Sequence, residues 1–183
     1  MRYIFPVLIM VLFASCVSLK TPKRTDLETW TSPMLIGKYP VRINQIAKSG
    51  SARDTVFPIT IWYMFKNSEG RDSAELAQAT HMELRLVDKK HVSSTLFNGE
   101  KALKTDIING HLKNGYFRKK HNLSLSGIPP FYWALSSNKM QFALGKEKQL
   151  YIDQADETNG SILIIMAGTP GFTRSYTVLP YKD

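Results

Sequence analysis

Ser136-Ser137-Asn138-Lys139 has the Ser-x-x-Lys spacing with which a lysine activates a serine nucleophile. That chemistry requires a helix to set both side chains on one face, and it works beside Ser-Asp-Asn and Lys-Thr-Gly motifs that do not occur in the chain. A hairpin turn is the expected setting for this segment. No Gly-x-Ser-x-Gly elbow is present either. The four histidines, His81, His91, His111 and His121, lack the His-x-His or His-Glu-x-x-His spacing that presets a metal geometry, so no metal site is expected. The acidic residues are scattered, without an evident pair for glycoside hydrolysis, and no glycine-rich phosphate loop occurs. No cofactor is expected, and the chain reads as non-enzymatic. One thiol remains, that of Cys16, the only cysteine in the chain.

What Cys16 can do follows from its position. Met1 and Arg2 open the chain, and an apolar run of 11 residues from Tyr3 to Phe13 follows. Crossing a bilayer takes about 20 apolar residues, and Pro6 interrupts this run, so it fits a cleaved secretory leader over residues 1–15 and not a permanent span. Leu12-Phe13-Ala14-Ser15-Cys16 places two small residues before the cysteine and resembles the lipobox of bacterial lipoproteins, with Phe13 where that motif normally has leucine. The resemblance implies that Cys16 becomes the lipidated first residue of the mature protein and carries palmitate. With the thiol spent in a thioether, disulfides, thiolate zinc sites and a cysteine nucleophile are excluded together.

Val17 follows the cysteine where an aspartate would mark inner-membrane retention, so the sorting rule of many Gram-negative bacteria implies the outer membrane. The next stretch, Ser18-Leu19-Lys20-Thr21-Pro22-Lys23-Arg24, is basic where export to the cell surface would want acid. The periplasmic face is therefore expected. Residues 16–33 lack apolar periodicity and hold Pro22 and Pro33, which suits a lipidated tether.

Residues 34–183 are expected to form a single domain. The chain is 43% hydrophobic and 11% aromatic, enough for a real core. Its 24 Lys and Arg exceed its 15 Asp and Glu, a formal charge of +9 that becomes +8 without Arg2. The basic residues are spread along the chain, which points away from nucleic acid and toward a solvated surface facing anionic headgroups or acidic glycans.

Apolar side chains recur mostly with period two, broken by Gly, Asn and Asp, which predicts short strands. Strands are expected over residues 34–41, 58–65, 82–87, 92–97, 102–108, 131–135, 139–144, 149–153, 161–167 and 174–179, with a hairpin over 111–118 and a short helix over 73–79. The three pairs Asn98-Gly99, Asn109-Gly110 and Asn114-Gly115 suit tight turns. Further turns are expected at 136–138 and 156–160, with Gly127-Ile-Pro-Pro and Gly168-Thr-Pro-Gly at loop rims. The apolar stretch 161–167 is expected to be buried on both faces or to cross the core. The fold class is all-β, an antiparallel meander closing into a barrel of about 8 to 10 strands.

Gly37-Lys38-Tyr39 resembles the lipocalin Gly-x-Trp, with Tyr39 for the tryptophan, and Arg174 falls where the lipocalin arginine packs over that ring. Residues 110–144, with Leu-Lys-Asn-Gly-Tyr-Phe and Ile-Pro-Pro-Phe-Tyr-Trp-Ala-Leu, are similar to a group of small lipocalin-like (calycin) envelope lipoproteins that has no assigned activity. The resemblance implies a barrel, an anchor and a barrel-closing pair Tyr39 and Arg174.

The aromatic residues Trp62, Phe131, Tyr132, Trp133 and Tyr176 are the candidate ligand-binding set, because alternate residues of a barrel strand point inward. They can equally fill the interior outright. Asp54-Thr55-Val56 and Asp72-Ser73-Ala74 resemble a bacterial O-glycosylation acceptor, which makes Thr55 and Ser73 candidate sites. The function expected is binding, with the membrane as partner through the anchor. An apolar small molecule in the barrel, or another envelope protein met by a scaffold, would be the further partner.

Overall fold

In the computed structural model the described residues are 19, 21–47, 55–66, 70–128, 131–162 and 165–182, and of these the side chains at 45–47, 55–57, 122, 162 and 165–170 are left aside. The leader and Cys16 lie outside them. In chain order the elements are β1 (Met34–Tyr39), β2 (Arg42–Ala47), β3 (Thr55–Thr60), a 3-10 helix (Ile61–Met64), α1 (Ser73–Gln78), β4 (His81–Leu86), β5 (His91–Asn98) and β6 (Lys101–Lys113). They continue with β7 (Tyr116–Lys119), β8 (Asn122–Ile128), β9 (Tyr132–Leu144), β10 (Leu150–Ile162) and β11 (Ile165–Val178). With 62% strand against 7% helix the chain is all-β, and its main sheet is antiparallel and curled as a half-barrel, consistent with a lipocalin-like barrel. The order in that sheet is β1-β4-β5-β6-β7-β9-β10-β11, with β8 on β9; β2 and β3 pair separately.

The chain divides into two compact units. A core unit holds residues 23–120, 141–152 and 176–182, and a hairpin unit holds residues 121–140 and 153–175 together with residues 19, 21 and 22. Alternation builds the core unit: Met82, Leu84 and Leu86 of β4 are buried while Glu83 and Arg85 stay outside the core, and Val92 and Leu96 of β5 repeat the pattern. Phe142 is its aromatic centre, with ring centroids 5.0 Å from Phe65, 5.2 Å from Phe117 and 5.9 Å from Trp30. Burying each side chain of this size is worth about 1.5–3 kcal/mol.

Several expected boundaries change, each for a physical reason. The strand expected over residues 58–65 stops at Thr60, and the next four residues turn as a 3-10 helix closed by the Phe65 amide donating to the Trp62 carbonyl at 2.9 Å. Ile61, Trp62 and Phe65 are all buried, and neighbours in a strand cannot share a face, whereas a helical turn brings all three to one side. Residues 136–138 do not turn; they run within β9 because β8, a strand the sequence reading missed, pairs with them from Asn122↔Asn138 to Ile128↔Tyr132. Residues 156–160 likewise continue β10, and 161–167 is not one strand, since β10 ends at Ile162 and β11 begins at Ile165. The rim expected at 168–171 is part of β11, and β2 was not foreseen.

The Asn-Gly pairs also part ways. Asn114 and Gly115 have φ of 54° and 78° and form the two-residue loop between the paired Lys113 and Tyr116, as a type I′ turn requires. Gly99, with φ 57°, opens the two-residue loop between Asn98 and Lys101. Asn109-Gly110 makes no turn. It lies inside β6, where Asn109 pairs with His91 of β5 and Gly110 with Lys119 of β7. A Cβ at residue 110 would overlap the Arg118 carbonyl and come within 2.5 Å of the Phe117 ring. Gly110→Val should therefore destabilise the fold by about 1–3 kcal/mol, read as a lower urea midpoint. An unchanged midpoint would show that β7 can move aside freely.

Candidate binding surfaces

The end of the segment read as a tether is docked on the core unit. Leu27 bridges Gly145 in antiparallel sense, the Glu28 amide donates to the Leu144 carbonyl at 2.8 Å, and the Lys146 amide donates to the Asp26 carbonyl at 2.8 Å. Side chains reinforce the backbone. Asp26 Oδ2 accepts from the Tyr151 hydroxyl at 2.6 Å and from Gln149 Nε2 at 3.0 Å, and Lys148 Nζ donates to both Glu28 oxygens at 2.7 and 2.8 Å. The bond to Asp26 raises the Tyr151 phenol above its usual range. Arg24 lies 4.4 Å from the Tyr151 ring centre and donates to the Tyr116 hydroxyl at 3.2 Å. The available signal was charge: Asp26 and Glu28 are acidic in a basic stretch, and Lys146 and Lys148 repeat the spacing with opposite sign.

This strap, residues 24–30, forms one wall of an open groove of about 420 Å³. Leu27 and Trp30 face Leu112, Lys113, Asn114 and Gly115 across it. The volume lies within the range of small-molecule sites, and the lining combines apolar surface with the charged residues Glu28 and Lys113. Trp30 Nε1 is buried and has no hydrogen-bond partner among the described residues.

Trp62 is a fully buried pin in the core. Its Nε1 donates to Asp72 Oδ2 at 2.6 Å, Lys66 Nζ donates to the same oxygen at 2.8 Å, and Lys104 Nζ donates to Oδ1. Asp72, the N-cap residue of α1, is thereby tied to the 3-10 helix and to β6. Lys119 Nζ closes the helix end, donating to the Lys66 and Met64 carbonyls at 2.7 and 3.2 Å, and its burial lowers its pKa. Burial of Asp72 works to raise its pKa, but the donors on Lys104, Lys66 and Trp62 outweigh burial and hold the carboxyl well below the usual range.

The other candidates divide between the units. Tyr176 is buried in the core unit, whereas Phe131, Tyr132 and Trp133 sit on the β8–β9 hairpin, the first two exposed and Trp133 half-buried. Tyr39 is fully buried, its hydroxyl donates to the Lys148 carbonyl at 3.0 Å, and burial pushes its phenol pKa up. Arg174 is exposed, with its guanidinium 4.4 Å from the Phe172 ring centre. Ser73 is exposed as the first residue of α1; Thr55 opens β3.

Ser136 and Lys139 fall three apart on one strand and so point to opposite faces, which removes the Ser-x-x-Lys geometry. Ser136 instead shares a polar groove of about 170 Å³ in the hairpin unit with Ser124, Asn138, Asp156 and Thr158. Ser136 bonds Thr158 at 3.2 Å and Asn138 bonds Asp156. His81 is buried and stacked between Phe97 and Tyr181, with centroids 5.3 and 5.0 Å away. His91 bonds Asp88, His121 bonds Ser137, and His111 is exposed. Among the described residues no group of three His, Cys, Asp or Glu is placed to hold a metal. No family model, curated protein or solved structure matches the chain.

Asp72→Asn leaves Lys66 and Lys104 without their counter-charge in a buried setting, a loss on the order of 3–5 kcal/mol in urea unfolding at neutral pH. Because the folded pKa of Asp72 lies below its unfolded value of about 3.9, its contribution is complete above that pH and drains away as the pH falls further. The variant should lose that part of the acid dependence. Equal acid sensitivity in both proteins would assign it to other carboxylates.

Proposed function

We propose that this protein is a non-enzymatic lipoprotein of the bacterial cell envelope, held through lipidated Cys16 at the outer membrane on its periplasmic face, and that it acts by binding. The docked strap is the observation that carries the reading. With residues 24–30 fixed on the core unit, Cys16 lies eight residues before Arg24 and, at no more than about 3.6 Å per residue, no farther from it than roughly 30 Å. A lipid on Cys16 would hold the core unit close against the bilayer. The leader, the solitary thiol and the basic charge agree with that position.

The strap groove joins the barrel interior as a candidate place for the ligand. Trp62, Phe65, Phe117 and Phe142 are fully buried in the core unit, whereas the groove walled by Leu27, Trp30 and Leu112 is open and has Lys113 at its edge. That lining suits an amphipathic molecule with an apolar body and a polar end. The burial of these aromatic side chains supports a second reading, a scaffold that contacts another envelope protein and holds no small molecule. For the proposed O-glycan, Ser73 has the exposure an acceptor needs, and Thr55 remains the second candidate.

Protein extracted from membranes should have a mass that begins at Cys16 and includes acyl chains, and Cys16→Ala should abolish palmitate labelling. A Cys16→Ala protein that still takes up palmitate overturns the anchor. For the ligand, native mass spectrometry of protein mixed with envelope lipid extract should show a retained small molecule that Leu112→Asp removes. If none is retained, the scaffold reading stands. An added hexose mass lost with Ser73→Ala or Thr55→Ala would locate the glycan; a mass of peptide plus lipid alone removes it.

A further inference from the structure

The exposed apolar side chains of the hairpin unit collect on β8 and β9. Leu123, Leu125, Ile128, Phe131 and Tyr132 are 57, 62, 61, 63 and 56% exposed, although each is large enough to favour burial. The register from Asn122↔Asn138 to Ile128↔Tyr132 places Leu123 and Leu125 on one face with Trp133 and Leu135, because directly opposed residues and alternate residues share a face. Ile128 and Tyr132 pair on the opposite face, so the apolar side chains of both faces converge beside Phe131 at the end of the hairpin, and exposed apolar surface of this kind marks an interaction site.

Charge identifies what covers it. From Asn122 to Asn138 the sequence has no charged residue, and Lys139 follows the hairpin. In the rest of the hairpin unit Asp153 and Glu157 are buried and Asp156 is bonded to Asn138, whereas Arg174 is exposed beside exposed Phe172. The one fully exposed charged side chain among the described residues of this unit, Arg174, is basic. A protein surface is matched in register by complementary charges, and two uncharged arms offer none. An anionic bilayer asks for this arrangement: aromatic and aliphatic side chains enter the headgroup boundary, and cations at the base meet lipid phosphates.

We propose that the β8–β9 hairpin is an interfacial membrane-binding element that docks its apolar end into anionic lipid bilayers. This contact is separate from the acyl chain on Cys16 and does not depend on it. Two membrane contacts, one covalent and one folded, would fix the orientation of the hairpin unit as well as its distance from the lipid.

The test uses the full chain carrying Cys16→Ser and Ser126→Cys, so that the only thiol lies on the hairpin and can carry an environment-sensitive fluorophore. With phosphatidylcholine vesicles containing phosphatidylglycerol, the label should shift to the blue and be quenched by spin-labelled lipid. Vesicles of phosphatidylcholine alone should leave it unshifted, and the same label at Ser73→Cys should not respond to either. Adding Leu125→Asp should weaken vesicle affinity about tenfold or more while leaving the thermal midpoint unchanged, since that side chain is exposed. An unshifted hairpin label, an equal shift at residue 73, an equal shift with neutral vesicles, or a shift that grows with protein concentration without lipid would each overturn the proposal. The last of these would mark the surface as a contact between two copies of the chain.

Discussion

The sheet depends on one missing side chain. β6 is a 13-residue strand with two partners, β5 along its first part and β7 along its last, and the change of partner falls at Asn109 and Gly110. For β7 to come close enough to pair, its Arg118 carbonyl must occupy the space where any other residue at 110 would carry a Cβ. Without that approach the antiparallel order would break between β6 and β7. Phe117, which sits beside Phe142 in the core unit, would lose the strand that presents it.

Around this sheet the polar contacts act as ties between segments distant in sequence. Asp72 gathers donors from the 3-10 helix, its own loop and β6, so a single carboxylate fixes the connection between β3 and β4 to the sheet. The strap is tied by the same logic at lower burial, where acidic side chains at 26 and 28 meet Gln149, Tyr151 and Lys148. In both places an isolated charge in the sequence finds its partner only through the fold.

Much of the fold was legible because it is local. Met82-Glu83-Leu84-Arg85-Leu86 alternates so cleanly that strand, facing and burial follow from the residues, and Asn114-Gly115 makes the turn its chemistry favours. Asn109-Gly110 has the same residues and no turn, because crowding from β7 decides its use, and no local rule contains that neighbour. Ser136-Ser137-Asn138 has weak strand propensity and became strand through pairing with β8. Among the candidate site residues, aromatic character was easy to see and its use was not: Trp62 is held by a carboxylate ten residues away, while Phe131 and Tyr132 face outward. The strap was hidden for a related reason, since complementary charges 120 residues apart have no signature in a local window.

The strap also determines how the molecule would carry load. Tension applied to the strap from its N-terminal end would meet the contacts of Arg24, Asp26 and Glu28 before it could reach β1. Those contacts are few, polar and partly open to water, so they would give way while the hydrogen-bonded strands behind them stayed intact. Release would free the residues of the strap and take away one wall of the groove beside Leu112, so pulling on the strap would open the groove and leave the sheet folded.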